Sequence, residues 1–397
     1  SLSAVSQQSD VEIKELIGKI GLSRSLYYNE SKKNEFRYKE KTEKNFGKIF
    51  SPEELPKYSG KISSICETLK KSKGISLIYS QYIDGGCVPV ALALEEMGFT
   101  RYKGSKRGSL FKTPPTEPID SISMKPFSEH GDNFRPASYV MITGDKALSP
   151  NNVIDLKAVT NESNRDGSEV KVVIISRAGS EGLDFSNLRQ VHILDPWYNM
   201  NRIEQIIGRA IRFCSHKQLP FSERNTEIYL YGTMLDGTEE ESADLYVYRL
   251  AENKSVKIGN ITRVLKETAV DCVLNEKLNM LTEEVIGQNV KLSLASGKDI
   301  DYNVGYKPFS SICDYMESCS YKCQPEFEIR EDKVLVTSYH EDFINVNIEK
   351  IMLRIRNLYK ERYIFTKNDL IKEINSVKKY PNSQIYAALD RLVTDKT

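Results

Sequence analysis

"KVVIISRAGSEGLDF" (171–185) joins two kinds of sequence. The first six residues are apolar almost without interruption and rich in β-branched side chains; the next nine carry two glycines, a serine and an aspartate. A strand buried on both faces shows no polar alternation, so a continuous run of this kind predicts a parallel sheet covered by helices on each side. Gly179 and Gly182 let the backbone turn sharply where the strand ends. Ser180 and Asp184 place a hydroxyl and a carboxylate beside that turn.

The same theme recurs on both sides. "ISLIYS" (75–80), "YVMIT" (139–143), "QVHILD" (190–195) and "TEIYLYGTM" (226–234) are apolar runs set apart by helical or loop sequence such as "VPVALALEEMGF". Residues 59–235 therefore read as one α/β domain, and ligands of open parallel sheets sit beyond the carboxyl ends of the strands. His192, inside a strand run, reads as a packed core histidine. Trp197, after "LDP", either anchors the loop that follows or stacks on a base.

"NRIEQIIGRAIRF" (201–213) follows the fourth run. At 100° per residue, Ile203, Ile206, Ile207, Ala210 and Ile211 share one side, as a core-facing helix stripe requires. Gln205, Arg209 and Arg212 lie nearly in line on the other side, with Gly208 between them. No acid stands four residues on from either arginine, so neither has the usual helical partner.

Ser176-x-x-Gly179-x-x-Gly182-Leu183-Asp184 and, about 20 residues later, Gln205-x-x-Gly208-Arg209-x-x-Arg212 together resemble motifs V and VI of superfamily-two helicases. "SLIYSQ" (76–81) is similar to motif IV, and "ITG" (142–144) to the short motif after the next strand. The resemblance implies a RecA-like C-terminal lobe in which Arg209 and Arg212 act on ATP as arginine fingers, beside Gln205. It also implies that Gly182, Asp184 and Gly208 line the nucleotide, and that Thr143, Gly144 and Ser180 grip a nucleic-acid backbone. A helicase further needs a G-x-x-x-x-G-K-[ST] loop and an Asp-Glu pair for Mg²⁺. "GSKRGS" lacks the Lys-Ser/Thr ending and no strand run ends in Asp-Glu. The expectation is thus a second lobe, with ATP and Mg²⁺ shared with a first lobe of the same parent chain, and no ATP hydrolysis by these residues alone.

The 397 residues are 28% charged and 40% hydrophobic with net charge +1, so any nucleic-acid binding must come from local patches. "RYKGSKRGSLFK" (101–112) is such a patch, with Arg101, Lys103, Lys106, Arg107 and Lys112 and no acid. It either tracks phosphates or is only a solvated loop. Residues 1–58 read as a polar extension, and "SKKNEFRYKEKTEKNFGK" within them as solvated. No apolar run nears the roughly 20 residues that span a bilayer. Seven scattered cysteines argue for a reducing, intracellular setting rather than a disulfide framework.

Residues 236–344 form a Cys-bearing extension. Within it, 244–275 and 301–323 are similar to the helicases of nucleo-cytoplasmic large DNA viruses, a group with the small subunit of the poxvirus early transcription factor and giant-virus relatives. Linear cytoplasmic plasmids of yeasts carry similar proteins. That resemblance implies DNA rather than RNA as the nucleic acid, viral RNA polymerase as a partner, and host cytoplasm or virion as the location. Cys272, Cys313, Cys319 and Cys323 supply the four thiolates of a tetrahedral structural zinc; buried reduced cysteines are the alternative. Residues 345–397 predict a small helical module of winged-helix type. A rival to the motor is a non-enzymatic docking and nucleic-acid-binding module of a viral transcription complex.

Overall fold

A computed structural model describes residues 17–105, 108–177, 183–235, 237, 240–326 and 341–394. They fall in two compact units, Ser1–Gln324 and Pro325–Thr397. The first begins with α1 (Gly18–Ser25), the strands β1 (Leu26–Asn29) and β2 (Asn34–Tyr38), then α2 (Glu40–Phe46), α3 (Leu55–Tyr58) and α4 (Gly60–Lys71). There follow β3 (Ile75–Tyr79), α5 (Val88–Glu96), β4 (Thr100–Arg101), β5 (Ser138–Ile142), α6 (Asn152–Thr160), β6 (Val172–Ile175), β7 (Leu188–Ile193), α7 (Met200–Ala210) and β8 (Glu227–Leu230).

Six of these strands make one sheet in the order β4-β5-β6-β3-β7-β8, and every neighbouring pair is parallel. The five apolar runs read from the sequence are β3, β5, β6, β7 and β8; the two-residue edge strand β4 is too short to leave a pattern. Alternate residues of β3, β5, β6 and β7 face opposite sides and are buried on both, which is why those runs look continuous, whereas the edge strand β8 leaves Ile228 and Leu230 exposed. In β6, Val172 and Ile174 join the core under α4 and α5, whereas Val173 and Ile175 join the core under α6 and α7. The architecture is the RecA-like α/β lobe expected from the motifs.

The amino-terminal segment departs from its solvated reading. Leu22, Leu26, Phe36, Ile49, Phe50 and Leu55 are all buried in the α4–α5 core. Phe36 pairs with a distant stretch: its N–H donates to Leu110 O at 2.9 Å and its carbonyl accepts from Lys112 N at 3.1 Å. Lysines and glutamates between these apolar residues hide any period, and the partner strand lies in the insertion. There the buried Glu95 carboxylate accepts from the amides of Leu110 (2.7 Å) and Phe111 (2.9 Å) and the Tyr139 hydroxyl (2.7 Å). An acid at the end of α5 thus holds residues 110–111 of the insertion, and the buried Asp120 holds its later part by accepting from the amides of Ile122, Ser123 and Arg135.

After the sheet come α8 (Ala243–Glu267), α9 (Cys272–Asn275), α10 (Glu283–Ile286) and a hairpin of β9 (Gln288–Ser293) and β10 (Asp299–Val304). The zinc expectation is corrected here. Cys272 pairs with Cys323 and Cys313 with Cys319 as two disulfides. Among the described residues, no group of three or more His, Cys, Asp or Glu side chains converges as a metal site needs. Spacing alone cannot tell four ligands from two pairs. The pairing likewise replaces the expectation of an all-thiol chain, leaving Cys66, Cys87 and Cys214 free.

The second unit holds α11 (Glu341–Asn345), α12 (Ile348–Glu361), α13 (Lys367–Ile374) and α14 (Asn382–Thr394) around Ile351, Met352, Ile355, Leu370, Ile374, Ile385 and Ala388. It is the small helical module expected, but its described residues include no strand and hence no wing. Among the described residues, no helix is long and apolar enough to cross a membrane.

Candidate functional site

The carboxyl rim of the sheet is built from the turns after β5, β6 and β7. After β6, the Ser176 hydroxyl lies 3.4 Å from the Gly144 amide, so it ties two strand ends together. Ser180 and Gly182, expected to face phosphates, fall outside the described residues, as do Lys106 and Arg107. The chain is described again at Leu183, and Phe185 turns inward: its ring is buried and its N–H points to Arg209 O at 3.4 Å. That anchor brings Asp184 against the end of α7.

Asp184 is the partner the arginines lack within their own helix. Its Oδ1 lies 2.6 Å from Arg212 Nη1 and 3.9 Å from Arg209 Nη1. Arg209 also reaches Leu183 O at 3.5 Å, and Arg212 Nε donates to Gly208 O at 3.3 Å. The side chains remain open to solvent, 24% for Arg209, 42% for Arg212 and 64% for Asp184. A guanidinium has five N–H donors. Among the described residues, these two leave part of that set unengaged. An ion pair this exposed contributes about 0–1 kcal/mol, so the carboxylate is readily exchanged for a phosphate that both arginines could bind in fork geometry.

The helix ends earlier than the sequence pattern suggested. Ala210 is its last residue and Ile211 is extended, so Ile211 leaves the buried stripe and Arg212 stands just past the helix. Ile203, Ile206 and Ala210 remain buried as expected. Gln205 is exposed one turn before Arg209. A Cβ at Gly208 would meet no atom within 4 Å, so nothing described in this chain requires glycine there.

The expected nucleic-acid residues separate. Thr143 is buried, its hydroxyl 2.9 Å from that of Ser149 and accepting the Asp145 amide at 3.2 Å. Its side chain stabilises its own turn, and only Gly144 of the pair is exposed. Arg101 is buried and donates to Leu148 O. Lys103 is exposed in the turn after β4, at the carboxyl rim, whereas the arginines stand at the far end of α7, beside the start of β7, where the Asn187 N–H donates to Ser215 O.

Several residues at this rim escaped the sequence reading. The half-buried Asp195, at the end of β7, accepts from the Ser80 hydroxyl (2.6 Å) and the Gln81 amide (3.0 Å), locking β7 to β3. Burial pushes its carboxyl up, against those hydrogen bonds. The acid in "LDP" was the available signal. Lys33, in the turn between β1 and β2, bridges Asp84 (2.7 Å) and Asp145 (2.8 Å) across the rim. Trp197 serves as an anchor: the Arg202 guanidinium lies over its ring at 4.2 Å. His192 is buried against the rings of Tyr229 and Tyr231, and burial pushes its pKa down to about 3, so it is a neutral core residue.

The extension braces α7. The Tyr315 hydroxyl bonds Glu204 on the arginine helix, and Lys254 Nζ reaches Tyr198 O at 3.2 Å in the loop before it. Tyr315 belongs to the loop closed by Cys313 and Cys319, whose neighbour Asp314 binds Arg263 and Lys266 of α8.

A family model for the helicase conserved C-terminal domain matches residues 149–214, the span from the turn after β5 to just past Arg212. A protein of Acanthamoeba polyphaga mimivirus, named as an ATP-dependent RNA helicase, is 25% identical over 87% of this chain and 32% of its own length. One of Invertebrate iridescent virus 3, named as a helicase, is 27% identical over 70% of this chain and 24% of its own. A termination factor NPH-I homologue of African swine fever virus is 28% identical over 55% of this chain and 33% of its own. The chain thus spans a quarter to a third of the length of these relatives. Parallel sheet, paired motifs and relatives agree: the chain contains a RecA-like lobe with a helicase conserved C-terminal domain, and it is similar to helicases of a giant virus and an iridescent virus and to a termination factor homologue of African swine fever virus.

Proposed function

We propose that this chain is the second lobe and C-terminal region of an ATP-dependent nucleic-acid helicase or translocase. The observation that carries the reading is the pair of guanidinium groups, Arg209 and Arg212, side by side at the end of α7 on one exposed aspartate. In the closed enzyme their fork donors take the transferring phosphoryl group, and Asp184 gives way to it. Gln205 and the open space over Gly208 complete the face presented to nucleotide. ATP supplies the free energy of movement. Its phosphate cradle and the carboxylates for Mg²⁺ belong to a first lobe, since the 397 residues contain no G-x-x-x-x-G-K-[ST] stretch. Gly144, Ser180 and Lys103, on or following strands of the same sheet, are the candidates for gripping phosphodiesters, with Lys106 and Arg107 beside Lys103. The name of the swine fever virus relative, a termination factor homologue, supports a place in viral transcription; DNA as the track and RNA polymerase as partner complete the proposal.

The test is steady-state ATPase activity of the full-length parent. Arg209→Ala or Arg212→Ala lowers kcat on the order of 10³-fold, the arginine-finger scale, with the fold retained. Unchanged kcat in both variants removes the assignment. The 397-residue chain alone gives no turnover above background; activity there that depends on Arg209 overturns the two-lobe reading.

A further inference from the structure

The helices α12 to α14 lie in a stretch charged out of proportion to the chain. Residues 345–397 hold eleven Lys and Arg against six Asp and Glu, a net +5 where the whole chain is +1. The cations interleave with aromatic rings. Arg362 lies over Phe365 at 5.1 Å, and Phe365 meets Tyr359 edge-on at 5.3 Å. Lys367 lies over Tyr386 at 4.7 Å, joining the start of α13 to the first turns of α14. Lys378 lies over Tyr380 at 5.4 Å, with Lys379 beside it; among the described residues neither lysine has a carboxylate partner.

Packing does not explain the outermost members. The unit's core is complete in the buried faces of α12, α13 and α14, yet Tyr363 is 89% exposed and Ile364 next to it is also bare. Tyr359 and Tyr386 are exposed as well. Phosphates need cations, and unstacked bases need flat apolar rings; a strip offering both in alternation suits a single strand. A duplex would leave the rings unused, because its base faces are already stacked.

We infer that this strip, running from Tyr359, Arg362 and Tyr363 through Lys367 and Tyr386 to Lys378 and Lys379, binds a single-stranded polynucleotide. It is a second nucleic-acid surface, carried by the second unit. The cations follow successive phosphodiesters, and Tyr363 stacks on a base. Binding at phosphates and ring faces is indifferent to base sequence.

Fluorescence anisotropy with the 397-residue chain tests this, using labelled oligothymidylate, oligouridylate and a blunt duplex of equal length. Tyr363→Ala weakens binding of the single strands on the order of 10-fold, and its exposure leaves the fold intact by circular dichroism. Lys378→Ala/Lys379→Ala reduces the log–log salt slope by about 1.4, some 0.7 for each phosphate no longer neutralised. The two oligonucleotides separate a deoxyribose from a ribose preference, either of which fits the inference. The readout is binding without nucleotide, so failure of the ATP-site reading leaves this result untouched. Wild-type affinity in the Tyr363 and lysine variants, tighter binding of duplex than of single strand, or binding to anionic vesicles in place of oligonucleotide overturns it.

Discussion

Two arginine–aspartate clusters lie near one another in the first unit, and their chemistry is opposite. At Arg263 the guanidinium is 9% exposed and four of its five donors are engaged. Nε binds Asp314 Oδ2 at 2.9 Å, Nη1 binds Ser320 O at 3.1 Å, and Nη2 binds Cys313 O at 3.1 Å and Ser318 O at 3.0 Å. Lys266 holds the other Asp314 oxygen at 2.6 Å, and the Tyr321 ring covers the guanidinium at 5.5 Å. Gly259 lets the Asp314 backbone approach α8 so closely that a Cβ would sit 1.9 Å from its carbonyl oxygen. At Arg209 and Arg212, one exposed carboxylate serves two cations with donors to spare. Burial with nearly every donor engaged marks a scaffold; exposure with most donors unfilled marks a site awaiting a ligand.

The largest expected effect tests the scaffold half. Arg263→Ala leaves Asp314 buried with only Lys266 as a charge partner, and loses about 3–5 kcal/mol of stability in chemical denaturation, the scale for halving a buried pair. Arg263→Lys recovers little, because an ammonium cannot reach four acceptors in a plane. A loss below about 1 kcal/mol would mean that the cluster is no scaffold. Because Tyr315 follows Asp314 and bonds Glu204, the loosened loop also releases α7. Tyr315→Phe isolates that link, and in the full-length parent it lowers kcat a few-fold with the KM for ATP unchanged. Equal losses in kcat and stability would make Tyr315 merely structural.

Asp155 supplies a third setting, an acid buried without an arginine bonded to it. Its Oδ1 has no hydrogen-bond partner in the structure, and burial pushes its pKa up to about 6. Arg101 pulls the other way, but its guanidinium is engaged by Leu148 O. The folded state therefore binds a proton that the unfolded chain releases near pH 3.9. Stability is fullest below that value and falls as pH rises through about 6. Asp155→Asn should match the parent at pH 4 and exceed it at pH 8 by up to about 3 kcal/mol, two pKa units at 1.36 kcal/mol each. An Asn variant whose stability difference does not change with pH removes the raised carboxyl from the account.

These three acids show what the sequence could and could not disclose. The strands were legible because both faces of β3, β5, β6 and β7 are buried, and Arg209 and Arg212 because their spacing from Gln205 and Gly208 is local. Partners were not. Asp184 meets Arg212 only because Phe185 anchors a turn, and Asp314 meets Arg263 across an extension with no period of its own. Phe36 was lost among lysines because its pairing stretch, 110–112, lies in an insertion. The cysteines were visible but ambiguous, since two pairs and one tetrahedral site draw on the same four residues. A thiol count under denaturing, non-reducing conditions resolves that: three titrating thiols fit the pairs, whereas seven would dissolve them.

The smallest effect belongs to the exposed cluster and carries its half of the contrast. Asp184→Ala removes the one carboxylate shared by Arg209 and Arg212. Its side chain is mostly in water, and the arginines it frees are themselves open to solvent, so neither is left buried and uncompensated. The lost Coulomb attraction is screened and partly offset by recovered side-chain freedom. Denaturation should therefore shift by less than about 1 kcal/mol, and by less still at high salt. Phe185, which anchors the turn through its ring and amide, is untouched by the substitution. A loss of several kcal/mol would show that Asp184 holds the end of α7 in place as Asp314 holds the extension, and the two clusters would then be of one kind.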